Sequence, residues 1–343
     1  MPAFDLSGLG WTAELAASLE AGSIPGRVAV QHRGEYVVYS ELGELRVRLP
    51  GRLLRDGITA AVGDWVALDG EAIRAVLPRR TALVRQAAGR ETGAQVLAAN
   101  VDVAFLVTSL GPDLEPRRLE RYLTVVWESG ASPAILLTKS DLHIDAAEQA
   151  LEVEAVAFGV PVHVVSAVTG EGCDEVAAYL APGTTGVLLG SSGVGKSTLV
   201  NRLAGSELLR TREIREDDGK GRHTTSHREL VVLPGGGMLI DTPGLRELQL
   251  WDGGGSGFEE AFADVEELAA GCRFSDCAHL REPGCAVLAA VDDGVLPLER
   301  LRSYRKLERE LQRQVRRQSD AHELAARRKE IRKFTRSLRK DAW

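Results

Sequence analysis

Gly190-Ser191-Ser192-Gly193-Val194-Gly195-Lys196-Ser197-Thr198 is the stretch that decides the fold. Its first eight residues match the spacing G-x-x-x-x-G-K-[ST]. Glycines at that spacing let successive backbone N–H groups turn inward around phosphate oxygens. Lys196 then reaches the β and γ oxygens, and the Ser197 hydroxyl is offered to Mg²⁺. Val187–Leu189 before the loop reads as a strand and Lys196–Leu203 after it as a helix. The helix aims its positive end at the same anion. A glycine-rich turn without a ligand would need neither neighbour.

Outward from the loop, apolar runs of strand length recur at Val101–Thr108, Ala134–Leu137, Val162–Val165 and Met238–Ile240. Between them lie the helix-compatible segments Arg117–Ser129, Ala146–Phe158 and Cys173–Leu180. Strand alternating with helix predicts a parallel α/β sheet covered on both faces. Polar clusters follow three of the runs: Thr138-Lys139-Ser140-Asp141, Ser166-Ala167 and Asp241-Thr242-Pro243-Gly244. Each is expected at the carboxyl end of a strand, where open α/β sheets bind ligands. A carboxylate such as Asp141 can accept from both the N1–H and the N2–H₂ of guanine, and adenine has no such donor pair. Leaving a buried carboxylate unpaired costs several kcal/mol, enough to discriminate the bases. Asp241 is placed to hold Mg²⁺ through water.

The rest of the chain has other textures. From Gly26 to Pro78, short β-rich runs are broken by Gly34, Gly43, Gly51, Gly63 and Gly70. That pattern predicts a small barrel, of OB-fold or SH3-like type. Expected divisions are a lead-in over 1–25, the barrel over 26–80, a linker over 81–99, the phosphate-binding domain over 100–257 and a helical region over 258–343. A chain of 343 residues suits two domains with an appendage. With 44% hydrophobic and 27% charged residues, wholesale disorder is excluded. No run approaches 18 apolar residues, so no membrane helix is expected. The first residues carry no basic cluster, and Asp5 and Glu14 interrupt them, so no secretory signal is expected either. A cytoplasmic location, no membrane partner and a monomeric state are the resulting expectations.

Net charge is −7, unevenly spread. Glu299 to Lys340 holds 16 Lys and Arg against 6 Asp and Glu, whereas residues 1–298 hold 26 against 42. An acidic body with a basic arm fits an anionic partner such as RNA, or else a solvated helix with an Arg-rich face. Four cysteines are too few for a disulfide scaffold. Three of them, with one histidine, give Cys272-x₄-Cys277-x-His279-x₅-Cys285. Three thiolates and an imidazole form a closed tetrahedral set suited to one structural Zn²⁺ per chain, with no open position for catalysis. The alternative is a loop of unpaired thiols. Cys173, near a helix start, fits a packing role.

Together these motifs resemble the GTPases of the translation-factor class, which carry a P-loop, a switch threonine, D-x-x-G, [NT]-K-x-D and S-A. Here their order is changed: Thr138–Asp141 and Ser166-Ala167 come before the P-loop, and Asp241–Gly244 after it. That is a circular permutation, tolerated because the sheet and its loops define the site. With the preceding barrel, the segment Gly221-Arg222-His223-Thr224-Thr225 and the Cys/His cluster, the chain resembles the RsgA family from about Gly26 to Leu311. The resemblance implies a circularly permuted GTPase domain with an N-terminal OB-fold and a C-terminal zinc-binding, mainly helical region. It further implies GTP and GDP as ligands, Mg²⁺ bound with GTP, and the small ribosomal subunit and its rRNA as partner. Lys196, Thr225 and His223 would then be the catalytic residues. Thr138 to Asp141, Ser166, Ala167, Gly190 to Thr198, Asp241 and Gly244 would bind GTP. Ser197, Asp241 and Thr225, or else Thr224, would hold the magnesium. Leu245 stands where Ras-like proteins carry a water-orienting Gln. The resemblance implies that His223 takes that task, with an imidazole that can accept a hydrogen bond from water; the alternative is a loop histidine that binds RNA or nothing. Thr138 replaces the commoner Asn and makes fewer hydrogen bonds than an amide. An ATP-dependent P-loop enzyme and a non-hydrolysing RNA-binding scaffold are the rival functions.

Overall fold

A computed structural model describes residues 3–32, 34–86, 94–112, 114–206, 228–241, 256–313 and 315–316. Near the start, α1 (Ala13–Ala17) is capped by Thr12, whose Oγ1 accepts from the Leu15 amide at 3.4 Å. Short β-branched runs between glycine turns then form β1 (Ile24–Gln31), β2 (Tyr36–Ser40) and β3 (Gly43–Val47). After α2 (Gly51–Arg55) come β4 (Trp65–Asp69) and β5 (Ala72–Val76). Antiparallel pairing gives the order β3-β2-β1-β4-β5. A parallel bridge from Arg48 to Ala72 brings the end of β3 beside β5. Val28, Val38, Val66, Leu68 and Ile73 are fully buried between these strands.

Residues 82–99, expected as linker, carry β6 (Ala82–Gln86) and β7 (Ala94–Ala99), which pair as a two-stranded sheet. The α/β part follows: β8 (Val103–Ser109), α3 (Pro116–Glu128), β9 (Ser132–Thr138), α4 (Ala146–Glu154), β10 (Val162–Val165) and α5 (Cys173–Ala178). Next come β11 (Thr185–Leu189), α6 (Lys196–Ala204), β12 (Glu229–Val232) and β13 (Met238–Asp241). Every residue of β8 and β11 is buried, as a strand covered on both faces requires. Pro116 opens α3 at a position where its missing N–H costs nothing.

Strands β10, β9, β8, β11 and β13 are parallel and adjacent in that order. β12 pairs antiparallel with β13 and, through Val30 and Glu229, with β1. One sheet of 11 strands therefore contains both the N-terminal strands and the α/β core. Arg27 on β1 sits inside it, 2% exposed. Its guanidinium donates to the carbonyl of Leu9, to that of Asn100 at 3.1 Å and to Thr185 Oγ1 at 2.8 Å. Burial pulls its pKa down to about 10, so it stays charged at neutral pH.

Compact units fall within Met1–Val84, Val96–Leu248 and Ser256–Ala261, which includes α7 (Ser256–Ala261), and within Arg85–Gln95, Gln249–Gly255 and Phe262–Trp343. The second unit holds α8 (Ala263–Ala269), α9 (Ala286–Asp292) and α10 (residues 298–313). Phe262, Val265, Val287 and Leu301 are each fully buried in it. Buried Arg300 donates to both Asp264 oxygens, at 2.8 and 3.0 Å, and lies 4.2 Å from the Phe262 ring centre. Among the described residues no helix is long and apolar enough to cross a membrane.

Candidate nucleotide site and metal centre

The loop 190–195 leaves the buried tip of β11, which lies between β8 and β13 in the parallel set. Gly190 has φ +155, and a Cβ there would lie 2.1 Å from the Val107 carbonyl oxygen. Only glycine lets the chain turn this close to β8. Gly193 (φ +83) and Gly195 (φ +96) take left-handed conformations that continue the turn. Gly195 caps α6 without a side chain, so no side-chain oxygen competes for the amides at its start. Lys196 Nζ folds back over the loop and donates to the carbonyls of Gly190 at 2.8 Å and Ser191 at 2.6 Å. Ser197 and Thr198 occupy the first turn of α6.

Two strands away, β9 ends in the second loop. Register pairs Thr138 with Ser109 of β8 and with Val165 of β10, so all three strand ends lie level. Thr138 Oγ1, 3% exposed, donates to the Val194 carbonyl at 2.6 Å and lies 3.2 Å from that of Thr108. This hydroxyl ties the 138–141 loop directly to the phosphate loop. Lys139 adopts φ 63, ψ 35, and the 3₁₀ turn Ser140–Leu142 then presents Asp141 to solvent. Ser166 Oγ, fully buried, donates to Asp141 Oδ1 at 2.5 Å. Ser166 and Ala167 follow β10 directly, so the sheet brings both base-reading candidates together. Cys173 Sγ donates to the Ser166 carbonyl at 3.6 Å, and burial pushes its thiol pKa up, in keeping with a packing role.

Asp241 closes β13, where Ile240 pairs with Val187 of the phosphate-loop strand. Nothing is described of its side chain. Thr242, Pro243, Gly244 and Leu245, and the switch residues His223, Thr224 and Thr225, lie outside the described residues. So does the basic arm beyond residue 316.

In the second unit, Cys272, Cys277, His279 and Cys285 bring their ligand atoms within 4.8 Å of one another. Cys272 and Cys285 sulfurs are 3.8 Å apart, and His279 Nδ1 lies 3.6 Å from the first and 3.4 Å from the second. Zn–S bonds of about 2.3 Å at tetrahedral angles place sulfurs ~3.8 Å apart, so the spacing fits that geometry. His279 holds φ 55, uncommon for a non-glycine, and is buried. The Tyr304 ring lies 6.1 Å from the His279 ring, and the Tyr304 hydroxyl donates to Glu266 at 2.9 Å.

Sequence reasoning overlooked three residues. Glu171 accepts from Ser140 Oγ at 2.8 Å, and its main-chain oxygen takes the Ser166 amide at 2.9 Å. The Glu282 carboxylate accepts from the amides of Leu280 at 2.7 Å, Arg281 at 2.9 Å and Ala278 at 3.3 Å, shaping the turn that carries His279. Its own amide and these three hold its pKa below the ordinary glutamate value. Arg27 is the third. Glu282 had a usable signal, since it lies between the Cys/His ligands; Glu171 and Arg27 are defined by tertiary neighbours.

A phosphate loop at the tip of an interior parallel strand, tied to a carboxylate-bearing loop two strands away, defines a P-loop nucleotide hydrolase. Three of its strands, β8 to β10, precede the phosphate loop in the chain. The RsgA GTPase family model matches residues 76–251, and that of the 50S ribosome-binding GTPase matches 185–326. The chain is 49% identical over 328 residues to the Small ribosomal subunit biogenesis GTPase RsgA of Opitutus terrae, covering 89% of each chain. It is 48% identical over 331 residues to the same-named protein of Streptomyces coelicolor, covering 94% of this chain and 90% of the relative. Among solved structures, YjeQ from Thermotoga maritima matches with TM-score 0.65 and 27% identity, over 84% of this chain and 98% of that one. YloQ, described as a circularly permuted GTPase, matches with TM-score 0.61 and 27% identity over 86% and 96%. The chain belongs to the RsgA GTPase family. It is a GTPase with a circularly permuted P-loop domain.

Proposed function

We propose that this GTPase binds the small ribosomal subunit and its rRNA, assists late maturation of the subunit, and uses hydrolysis to time its own release. The observation that carries the GTP part is the Thr138 bond to the phosphate loop, with Asp141 held and exposed beside it. The ribosomal part is supported by relatives named for small-subunit biogenesis, which align over nearly the whole chain. The 50S-related match takes in only residues 185–326 and says less about the partner. The protein is read as a cytoplasmic monomer without a membrane partner.

Within the site, Asp141 would accept from guanine, with Thr138, Lys139, Ser140, Ser166 and Ala167 forming the rest of the base pocket. Backbone amides of Gly190 to Thr198 would wrap the phosphates, and Gly244 would meet the γ-phosphate. Lys196, now on its own loop's carbonyls, would exchange them for the β and γ oxygens. Ser197, Asp241 and Thr225, or else Thr224, would hold magnesium, which supplies positive charge against the developing phosphate charge. His223 would orient the attacking water in place of Leu245. The Cys/His cluster would hold one structural zinc. Residues 26–80 would be an OB-type barrel, a reading supported by the strand order β3-β2-β1-β4-β5 and the parallel bridge that joins its ends. The lead-in 1–25, segment 81–99, GTPase domain 100–257 and helical region 258–343 complete the proposed division. Barrel and basic arm would grip rRNA phosphates.

Phosphate release measured across a titration of purified small subunits tests the reading. Turnover should rise with subunit concentration. Binding without phosphate release would leave a nucleotide-regulated scaffold, and no binding would remove the ribosomal role. Contact with the subunit would favour the arrangement in which His223 meets the γ-phosphate. His223→Ala is therefore expected to keep GTP affinity and lose about 10²-fold or more of the stimulated rate.

A further inference from the structure

We infer that Glu171, outside every nucleotide-binding motif, is a positioning residue that sets the guanine selectivity of this GTPase. The inference rests on Asp141 being the guanine acceptor. Glu171 lies in the loop between β10 and α5 and reaches two places at once. Its carboxylate takes the Ser140 hydroxyl proton at 2.8 Å, and its main-chain oxygen takes the Ser166 amide at 2.9 Å. Ser140 adjoins Asp141 in sequence, and Ser166 bonds to it at 2.5 Å. Both supports of Asp141 therefore converge on one residue.

The geometry also fixes where protons point. A hydroxyl has one proton to give. With the Ser140 proton on Glu171, it is not available to Asp141. Among the described residues, Ser166 Oγ is the donor on Asp141, and it sits on Oδ1. Ser166 Oγ is itself oriented by the Thr169 amide at 3.1 Å. Oδ2 and a lone pair of Oδ1 stay open for two donors side by side, which guanine has and hypoxanthine lacks. Glu171 can turn this close only because Gly172 follows it with φ +68; a Cβ there would lie 2.2 Å from the Val164 carbonyl oxygen.

The test compares GDP with IDP, the hypoxanthine nucleotide without the 2-amino group, in equilibrium binding to the full chain. A general loss of structure weakens both alike, so their ratio isolates the orientation of Asp141. Glu171→Ala is expected to weaken GDP about tenfold and lower the GDP-over-IDP preference about threefold or more. Glu171→Gln, which keeps an acceptor for Ser140, should stay within about twofold of the unaltered protein. Ser140→Ala should reproduce the loss, and Ser140→Ala with Glu171→Ala should be no worse than the weaker single variant. An unchanged ratio in Glu171→Ala, or fully additive effects, would overturn the inference. Asp141→Asn separates the two claims: if it leaves guanine preference intact, the assignment of Asp141 falls instead.

Discussion

At the residue scale, one hydroxyl does the work usually given to an amide. Thr138 offers a single proton, and that proton joins the base loop to the Val194 carbonyl of the phosphate loop. Thr138→Val keeps the shape and removes the bond. GTP affinity is expected to fall about fivefold to tenfold as the two loops lose their tie, and the thermal midpoint by roughly 2–4 °C, from a net loss near 1 kcal/mol plus an unpaired buried carbonyl. Titration with a fluorescent guanine nucleotide checks this. The phosphate loop, Asp141 and the Cys/His set were legible because each is a local spacing whose chemistry dictates its residue types. The Thr138 bond was not, since Val194 lies 56 positions away and only the parallel register brings them together. Glu171 was hidden for the same reason.

At the scale of elements, strands and helices of the α/β core were legible from apolar runs and their spacing. The ribbon of β6 and β7 was not, because Ala and Gln carry little strand preference. Nor was the pairing of β1 with β12, which a single Val30–Glu229 register pair defines. Arg27 ties β1 to the lead-in, to Asn100 and to β11 through acceptors whose residues, Leu9, Asn100 and Thr185, are themselves buried. Arg27→Met should lower the unfolding free energy by about 2–4 kcal/mol, seen as a lower urea midpoint with an unchanged slope. In the second unit, helices α8 to α10 bury few large apolar residues, so the zinc proposed for the Cys/His cluster would carry much of its stability. Cys277→Ala should reduce bound zinc, read by elemental analysis, and lower the thermal midpoint. In the unaltered protein, excess chelator should reproduce that lowering.

At the scale of the whole molecule, β12 is the last strand of the GTPase sheet, and what lies beyond it is β1. The N-terminal strands therefore do for this sheet what a closed barrel does for itself. At Val30 and Glu229 they cover part of a strand edge whose backbone donors and acceptors would otherwise face water. A truncated chain beginning near residue 81 would keep the phosphate loop and the base loop, yet present β12 as a bare edge. Such an edge pairs with any strand it meets, including another copy of itself. The truncated chain is thus expected to bind guanine nucleotides weakly and to self-associate as concentration rises, measured by light scattering. If it stays monodisperse, β12 has another guard. The module proposed to hold RNA would then have a second duty as a chaperone in cis, and the two could not be lost or exchanged separately.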